Sequence, residues 1–235
     1  MQVSDTFNKY FPYLMEIRKR LLFLAAIFLT FSFVGFFYYE KIIAFILRVL
    51  NLTGVNIAFT SPFQYFTLSI NSGFLVGLIA VFPLIVYQLL LFLKPALKGK
   101  EFKLVVVLIP LAIILFMIGF GFGFAIMKYV ITIFYQKSVE LNIGNLLDIS
   151  LLLSKIVLTG VLMGFAFQFP IVITALIKLN VIKLHDVAKQ RVVAYMVALL
   201  FAAFLPPTDL LSLALLTLPL VLLFEITLIL NKFVF

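Results

Sequence analysis

LLFLAAIFLTFSFVGFFYY, residues 21–39, is a charge-free and mostly apolar stretch. A helix needs about 20 such residues to cross the roughly 30 Å hydrocarbon core of a bilayer, so this stretch is typical of a membrane span. The whole sequence has the same character: 65% of the 235 residues are hydrophobic, 11% are charged, and the mean hydropathy is +1.27. A soluble domain has about 45–50% apolar and about 25% charged residues. The composition therefore excludes a soluble fold and predicts an all-α polytopic membrane protein.

Further apolar stretches follow the first, and two of them are short. Residues 192–205 end at Pro206-Pro207, and 210–230 is free of charge only as far as residue 224, because Glu225 follows. We predict one membrane domain over residues 1–235, with the last two spans too short for a full crossing. The six predicted spans are 21–39, 70–93, 104–127, 156–177, 192–205 and 210–230.

The net charge of +9 reports the orientation of these spans. If the N-terminus is cytoplasmic, 13 of the 18 Lys and Arg residues fall in the termini and the inner connections. Cytoplasmic connections carry an excess of basic residues, so the pattern predicts that both termini are cytoplasmic. The basic charge is thus interpreted as topology, and no nucleic-acid partner is expected.

Two segments outside the spans have helical patterns. Residues 41–50 are apolar with two interspersed bases, which predicts a helix lying in the outer interface. Ser61-Pro62 is a typical helix start, with a capping hydroxyl before a proline. The N-terminal residues predict an amphipathic helix that runs into the first span, in which Glu16 and Arg20 form an i,i+4 ion pair.

Polar residues within the spans leave alternatives open. Glu225 is an acid inside a predicted span and so a functional candidate, or it lies near the inner interface as an ordinary residue. Gln168 either links helices by hydrogen bonds or lines a polar groove together with Asp209 and Glu225.

Glycines and prolines predict local features of the helices. The pairs Gly73/Gly77, Gly119/Gly123 and Gly160/Gly164 permit close helix packing. Prolines remove a backbone donor and clash with the preceding turn. We therefore predict helix breaks at Pro83, Pro170, Pro206 and Pro207.

The residue inventory argues against an enzyme. The sequence has no cysteine, and its one histidine, His185, lies in a predicted loop. Thiol catalysis, a multi-histidine metal site and an intramembrane Ser–His pair therefore have no residues to build them. We expect no catalytic residue, no metal and no cofactor.

Several motifs together resemble the C subunit of the twin-arginine protein translocase, the TatC family. They are YLMEIRKRLL (13–22), FPLIVYQLLLFLKPALKGKE (82–101), GFAFQFP (164–170) and PPTD (206–209), followed by Leu218-Pro219 and Phe224-Glu225. The resemblance covers nearly the whole chain. It implies six spans with a short fifth and sixth helix, cytoplasmic termini and a concave, cupped helix bundle.

The resemblance also implies a function: the receptor core of a translocase that exports folded proteins using the protonmotive force. The family's positions for binding twin-arginine signal peptides fall on Glu16, Arg18, Phe92 and Glu101, with Lys103 the base that follows. Implied partners are the single-span TatA- and TatB-type subunits, further copies of the chain and membrane lipid. The implied location is the bacterial inner membrane, or alternatively a thylakoid or other organellar membrane. Other functions left open are a small-solute or ion transporter and a non-transporting scaffold.

Overall fold

The computed structural model describes residues 2–50, 57–93, 99–142, 147–178 and 181–233, with side chains except those of 2–10, 12–14, 89–93 and 99–107. Within these ranges the chain is almost entirely helical. The elements are α1 (Gln2–Phe37), α2 (Tyr39–Leu50), β1 (Ile57–Ala58), α3 (Gln64–Leu93), α4 (Gly99–Glu140), β2 (Leu147–Asp148), α5 (Ile149–Ala166), α6 (Phe169–Lys178), α7 (Leu184–Lys189), α8 (Arg191–Ala203) and α9 (Leu210–Phe233). We call the end of the bundle that the charges predict to be cytoplasmic the inner end, and the opposite end the outer end.

Five helical segments in the described ranges are long and apolar enough to cross a membrane. They are Met15–Phe37, Gln64–Gln88, Leu108–Glu140, Ile149–Lys178 and Leu210–Phe233. The fifth predicted span, 192–205, corresponds to α8, which has 13 residues and so covers about 20 Å. The prediction that this fifth span is short is confirmed, because α8 ends at Ala203. The count of six spans is not confirmed, because α8 is too short to be among the five segments that could cross a membrane.

The prediction that the last helix is short is wrong. α9 has 24 residues and passes through Glu225 to Phe233, a length of about 36 Å. The prediction counted only the charge-free residues up to 224, but a glutamate does not end a helix. The Glu225 carboxylate has partners in Arg191 and Tyr195 of α8.

Two predicted boundaries also differ from the structure. The third span was predicted to end at residue 127, but α4 continues to Glu140, since its outer part need not be apolar to remain helical. The helix predicted to start at Ser61-Pro62 begins instead at Gln64, whose backbone N–H donates to the Ser61 carbonyl oxygen at 3.2 Å.

The prolines act differently from one another. The predicted break at Pro83 is wrong, because α3 continues through this proline from Gln64 to Leu93. A proline is tolerated inside a membrane helix where neighbouring helices and local adjustments satisfy the freed backbone group. The helix does end next to Pro170: α5 stops at Ala166 and α6 begins at Phe169. Pro206 and Pro207 lie in the connection between α8 and α9.

Glycines set the distance between two pairs of helices, as predicted. A Cβ at Gly73 of α3 would lie 2.5 Å from the Ser32 carbonyl oxygen of α1. A Cβ at Gly119 of α4 would lie 2.6 Å from the Met163 carbonyl oxygen of α5. Both distances are shorter than any real Cβ contact, so the helix backbones approach this closely only because the side chain is absent.

Two hydrophobic clusters fill the bundle. One joins α2, α3 and α5 around Leu50, Leu68 and Ile156, and the other joins α4, α5, α8 and α9 around Met163 and Leu216. In contrast, only 6% of the apolar window of α1 is buried. α1 is therefore a peripheral helix, and the side chains of 15–19 at its inner part are exposed.

A small polar cap at the outer end connects the start of α3 to the start of α5. β1 pairs in parallel with β2, aligning Ala58 with Asp148. The Asp148 carboxylate accepts hydrogen bonds from Thr60 and Gln64, and from the backbone N–H of Leu151 at 3.0 Å as the N-cap of α5. These donors hold the pKa of Asp148 below its usual value, with the Thr60 hydroxyl the largest cause.

Candidate functional site

The inner end carries a cluster of three polar side chains, Glu16, Arg20 and Gln88, which we call the guanidinium cluster. Arg20 donates to Glu16 Oε1 from Nη2 at 2.5 Å and from Nε at 3.1 Å. Its Nη1 donates to the Gln88 backbone oxygen at 3.0 Å and to Gln88 Oε1 at 2.7 Å. The predicted i,i+4 ion pair is thus confirmed, and it is part of a larger contact between α1 and α3.

The cluster exists because of where each helix places its residue. Glu16 and Arg20 lie one turn apart on the inner part of α1, the acid first, which is the favourable order along a helix. Gln88 lies near the inner end of α3, the helix against which α1 packs. Chemically, three oxygens from two helices surround one guanidinium, so the inner end already contains an arginine-binding arrangement.

Sequence reasoning did not single out Gln88 as a site residue. A polar amide in an otherwise apolar run, six residues before the basic inner connection, was the signal that could have found it. Its partner could not be read from the sequence, since Arg20 is 68 residues away.

The other predicted signal-binding residues are only partly described. Arg18 is exposed on α1, two residues from each member of the ion pair. Phe92 belongs to α3, and Glu101 and Lys103 belong to α4, but their side chains lie outside the described set. Their role stays a prediction.

Gln168 lies at the junction between α5 and α6. Its Nε2 donates to the Ala112 carbonyl oxygen of α4 at 3.1 Å and to the Gly164 carbonyl oxygen at 3.2 Å. The same residue lines a cavity of about 320 Å³ between α5, α6, α8 and α9. Gln168 therefore links helices by hydrogen bonds, as one of the two interpretations held. It also faces a cavity, but the lining of that cavity is apolar, so the polar groove of the other interpretation is not found.

This cavity, which we call the apolar groove, is lined almost entirely by hydrophobic side chains. Representative members are Phe169, Val172, Val197, Phe201 and Phe224. A single amide in an apolar wall suits an apolar helix or chain segment that carries an occasional polar group.

The groove does not include the two predicted acids. Glu225 accepts one hydrogen bond from Tyr195 Oη at 2.5 Å and forms an ion pair with Arg191 Nε at 3.0 Å. Since the Arg191 side chain is 51% exposed at the start of α8, these contacts favour the interpretation of Glu225 as an interfacial structural residue.

Asp209 has a structural role as the residue before α9. It accepts from the Ser212 backbone N–H at 2.9 Å and from the Ser212 hydroxyl at 2.5 Å, a typical N-terminal cap. The three residues Gln168, Asp209 and Glu225 are therefore not brought together into one polar site. Among the described residues, no group of three or more His, Cys, Asp or Glu could hold a metal ion.

The fold and the site define a class: a helical integral membrane protein with the guanidinium cluster at one end and an apolar groove between its helices. Residues 12–219 match the family model of the Sec-independent protein translocase protein TatC. The chain belongs to this family, whose members are components of a protein translocase.

Individual relatives agree with this assignment. The chain is 31% identical to TatCy of Bacillus subtilis over 226 residues, covering 94% of this chain and 87% of that protein. It is 30% identical to TatC of Escherichia coli K12, covering 99% and 91%. A crystal structure of the twin-arginine translocase receptor TatC in DDM superposes with a TM-score of 0.81 at 29% identity, covering 92% of this chain and 98% of that one.

Proposed function

We propose that the chain is the receptor that binds twin-arginine signal peptides. Single-span TatA- and TatB-type subunits and further copies of the chain assemble around it. The assembled translocase exports folded proteins using the protonmotive force. The membrane we propose is the bacterial inner membrane. The observation that carries the proposal is the guanidinium cluster, because Glu16, a position that the family resemblance assigns to signal binding, already binds an arginine side chain.

Recognition of arginine in particular follows from guanidinium chemistry. A guanidinium presents several N–H donors in a planar fork, which an ammonium cannot reproduce. Glu16 is 47% exposed, so part of its carboxylate remains open to a ligand. Arg18, Phe92, Glu101 and Lys103 complete the proposed surface, with Glu101 as the acceptor for the second arginine and Phe92 as an aromatic face beside it.

The apolar stretch of a signal peptide or a partner's single span would occupy the apolar groove. The groove offers hydrophobic walls with one amide, Gln168, whose Nε2 is already engaged by two carbonyl oxygens. Because the groove lies between helices of the bundle, an apolar segment could enter it from the lipid without crossing a polar barrier.

A peptide-binding measurement tests this proposal. A fluorescent peptide with two consecutive arginines before an apolar stretch is titrated onto the purified full chain in lipid nanodiscs, next to a peptide in which both arginines are lysines. We expect tighter binding of the arginine peptide, and a loss of that preference in Glu16→Gln and Glu101→Gln. Equal affinity of the wild-type chain for both peptides would reject the proposal. Matched variants, Glu40→Gln and Glu140→Gln at the opposite end, should leave the preference intact.

A further inference from the structure

Arg20 binds only one oxygen of the Glu16 carboxylate. Both of its contacts, from Nε and from Nη2, are made to Oε1. Within the described side chains, no group donates to Oε2. A carboxylate offers about four acceptor positions over its two oxygens, and the described side chains use only those on Oε1.

The base of this pair is held more firmly than the acid. The Arg20 side chain is 21% exposed, against 47% for Glu16. Arg20 also reaches across to α3, where two oxygens of Gln88 accept from its Nη1. The guanidinium is thus anchored between two helices, and through it the exposed carboxylate is fixed in place.

We propose that Arg20 is a positioning residue for arginine recognition: it holds Glu16 through Oε1 and leaves Oε2 as the acceptor for a signal-peptide guanidinium. This inference rests on the proposed function. It assigns to Arg20 and Gln88 a part in selecting arginine, although neither need touch the peptide.

Two physical effects of Arg20 oppose each other, and this makes the inference testable. Its charge repels a cationic peptide, so removing it should strengthen binding if charge alone mattered. Its hydrogen bonds restrict a glutamate side chain that would otherwise lose rotamer freedom on binding the peptide, so removing them should weaken binding. The inference requires that the second effect exceeds the first.

The neighbouring Lys19 offers a matched control. It is exposed on the same turn of α1 and carries the same charge, but it makes no contact with Glu16 among the described residues. Arg20→Gln and Lys19→Gln each remove one positive charge from the inner end, and only the first releases the Glu16 carboxylate.

The experiment measures the affinities of the arginine and lysine peptides for the full chain in nanodiscs, for both variants and for Arg20→Lys. We expect Arg20→Gln to bind the arginine peptide about 5- to 10-fold more weakly than the wild type and to lose most of its preference over the lysine peptide. Lys19→Gln should stay within about 2-fold of the wild type or bind slightly more tightly. Arg20→Lys keeps the charge without the fork, and we expect an intermediate preference.

Equal or tighter binding of the arginine peptide by Arg20→Gln would overturn the inference. A general loss of structure in Arg20→Gln would weaken the binding of both peptides equally. The ratio of the two affinities would then stay at its wild-type value, and this result would also count against a positioning role. If Arg20→Gln does not fold, an unchanged ratio in Arg20→Lys overturns the inference. Failure of the proposed function gives a different pattern, since the wild-type chain would then show no preference for arginine at all.

Discussion

Alanine substitution at two glycines of α4 that are only two residues apart should affect the stability of the chain differently. A Cβ at Gly123 would lie 2.8 Å from the Thr159 carbonyl oxygen, 2.9 Å from the Gly160 Cα and 3.1 Å from the Met163 Cβ, all on α5. A Cβ at Gly121 would meet nothing within 4 Å. Gly123→Ala therefore forces α4 and α5 apart, and Gly121→Ala does not.

The size of the effect follows from two terms. Replacing glycine by alanine within a helix gains about 1 kcal/mol of helix propensity at either position. Inserting a methyl group into a closely packed contact costs about 1–3 kcal/mol, and this cost applies only to Gly123 because its neighbours are backbone or near-backbone atoms. The propensity gain is common to both variants, so their free energies of unfolding should differ by about 1–3 kcal/mol.

Reversible unfolding in mixed micelles with increasing SDS, followed by circular dichroism, measures this difference. Gly121→Ala should equal or exceed the wild type in stability, and Gly123→Ala should lie below Gly121→Ala. Equal stabilities of the two alanine variants would refute the close α4–α5 contact.

Three further predictions concern the outer cap, α8 and the inner ion pair. Because the pKa of Asp148 is lowered in the folded chain, the stability it contributes is complete above pH of about 4 and is lost as the pH falls further. The protection of amides 147–151 against hydrogen exchange, relative to the intrinsic rate at each pH, should therefore fall only in that acid range, whereas Asp148→Asn should show lower protection at pH 7 and no such acid step; an acid step that persists in the variant would contradict this. Inserting one helical turn into α8 (Arg191–Ala203) should impair transport without abolishing signal binding, since its mismatch with the bilayer is expected to thin the membrane locally, and unaffected transport would refute that role. Glu225→Gln should lower the free energy of unfolding by about 0.5–1 kcal/mol, as expected for a partly exposed pair, and Glu140→Gln by less; a loss several times larger would mean that Glu225 is a buried, functional charge.

Hydropathy was sufficient to locate the long apolar helices, because a charge-free stretch of about 20 residues has few other structural uses. It failed where a charge is compensated by a distant residue. The prediction ended the charge-free part of the last span before Glu225, yet α9 continues past it to Phe233. The partners of the Glu225 carboxylate, Arg191 and Tyr195, lie 34 and 30 residues earlier in the sequence. Hydropathy also placed the end of the third span too early. The predicted span stops at residue 127, before Lys128, but the helix α4 continues to Glu140.

Part of the site could be predicted because its members are neighbours along a helix. Glu16 and Arg20 are related by the four-residue helical repeat, so their pairing follows from local sequence. Gln88 joins them only through packing of α3 on α1, which no local pattern specifies. The same limit explains Gln168, whose contact with Ala112 of α4 depends on how α5 ends against its neighbour.

Transport of a reporter is the most direct test of the central claim that this chain is a twin-arginine receptor. A folded fluorescent protein with a twin-arginine signal is expressed in a bacterial strain that lacks its own C subunit but retains the single-span subunits, and the chain is supplied from a plasmid. We expect export of the reporter, no export when both signal arginines are lysines, and strongly reduced export with Glu16→Gln. Export that is the same for the lysine and arginine signals, or unaffected by Glu16→Gln, would mean that the chain does not recognise twin-arginine signals through Glu16.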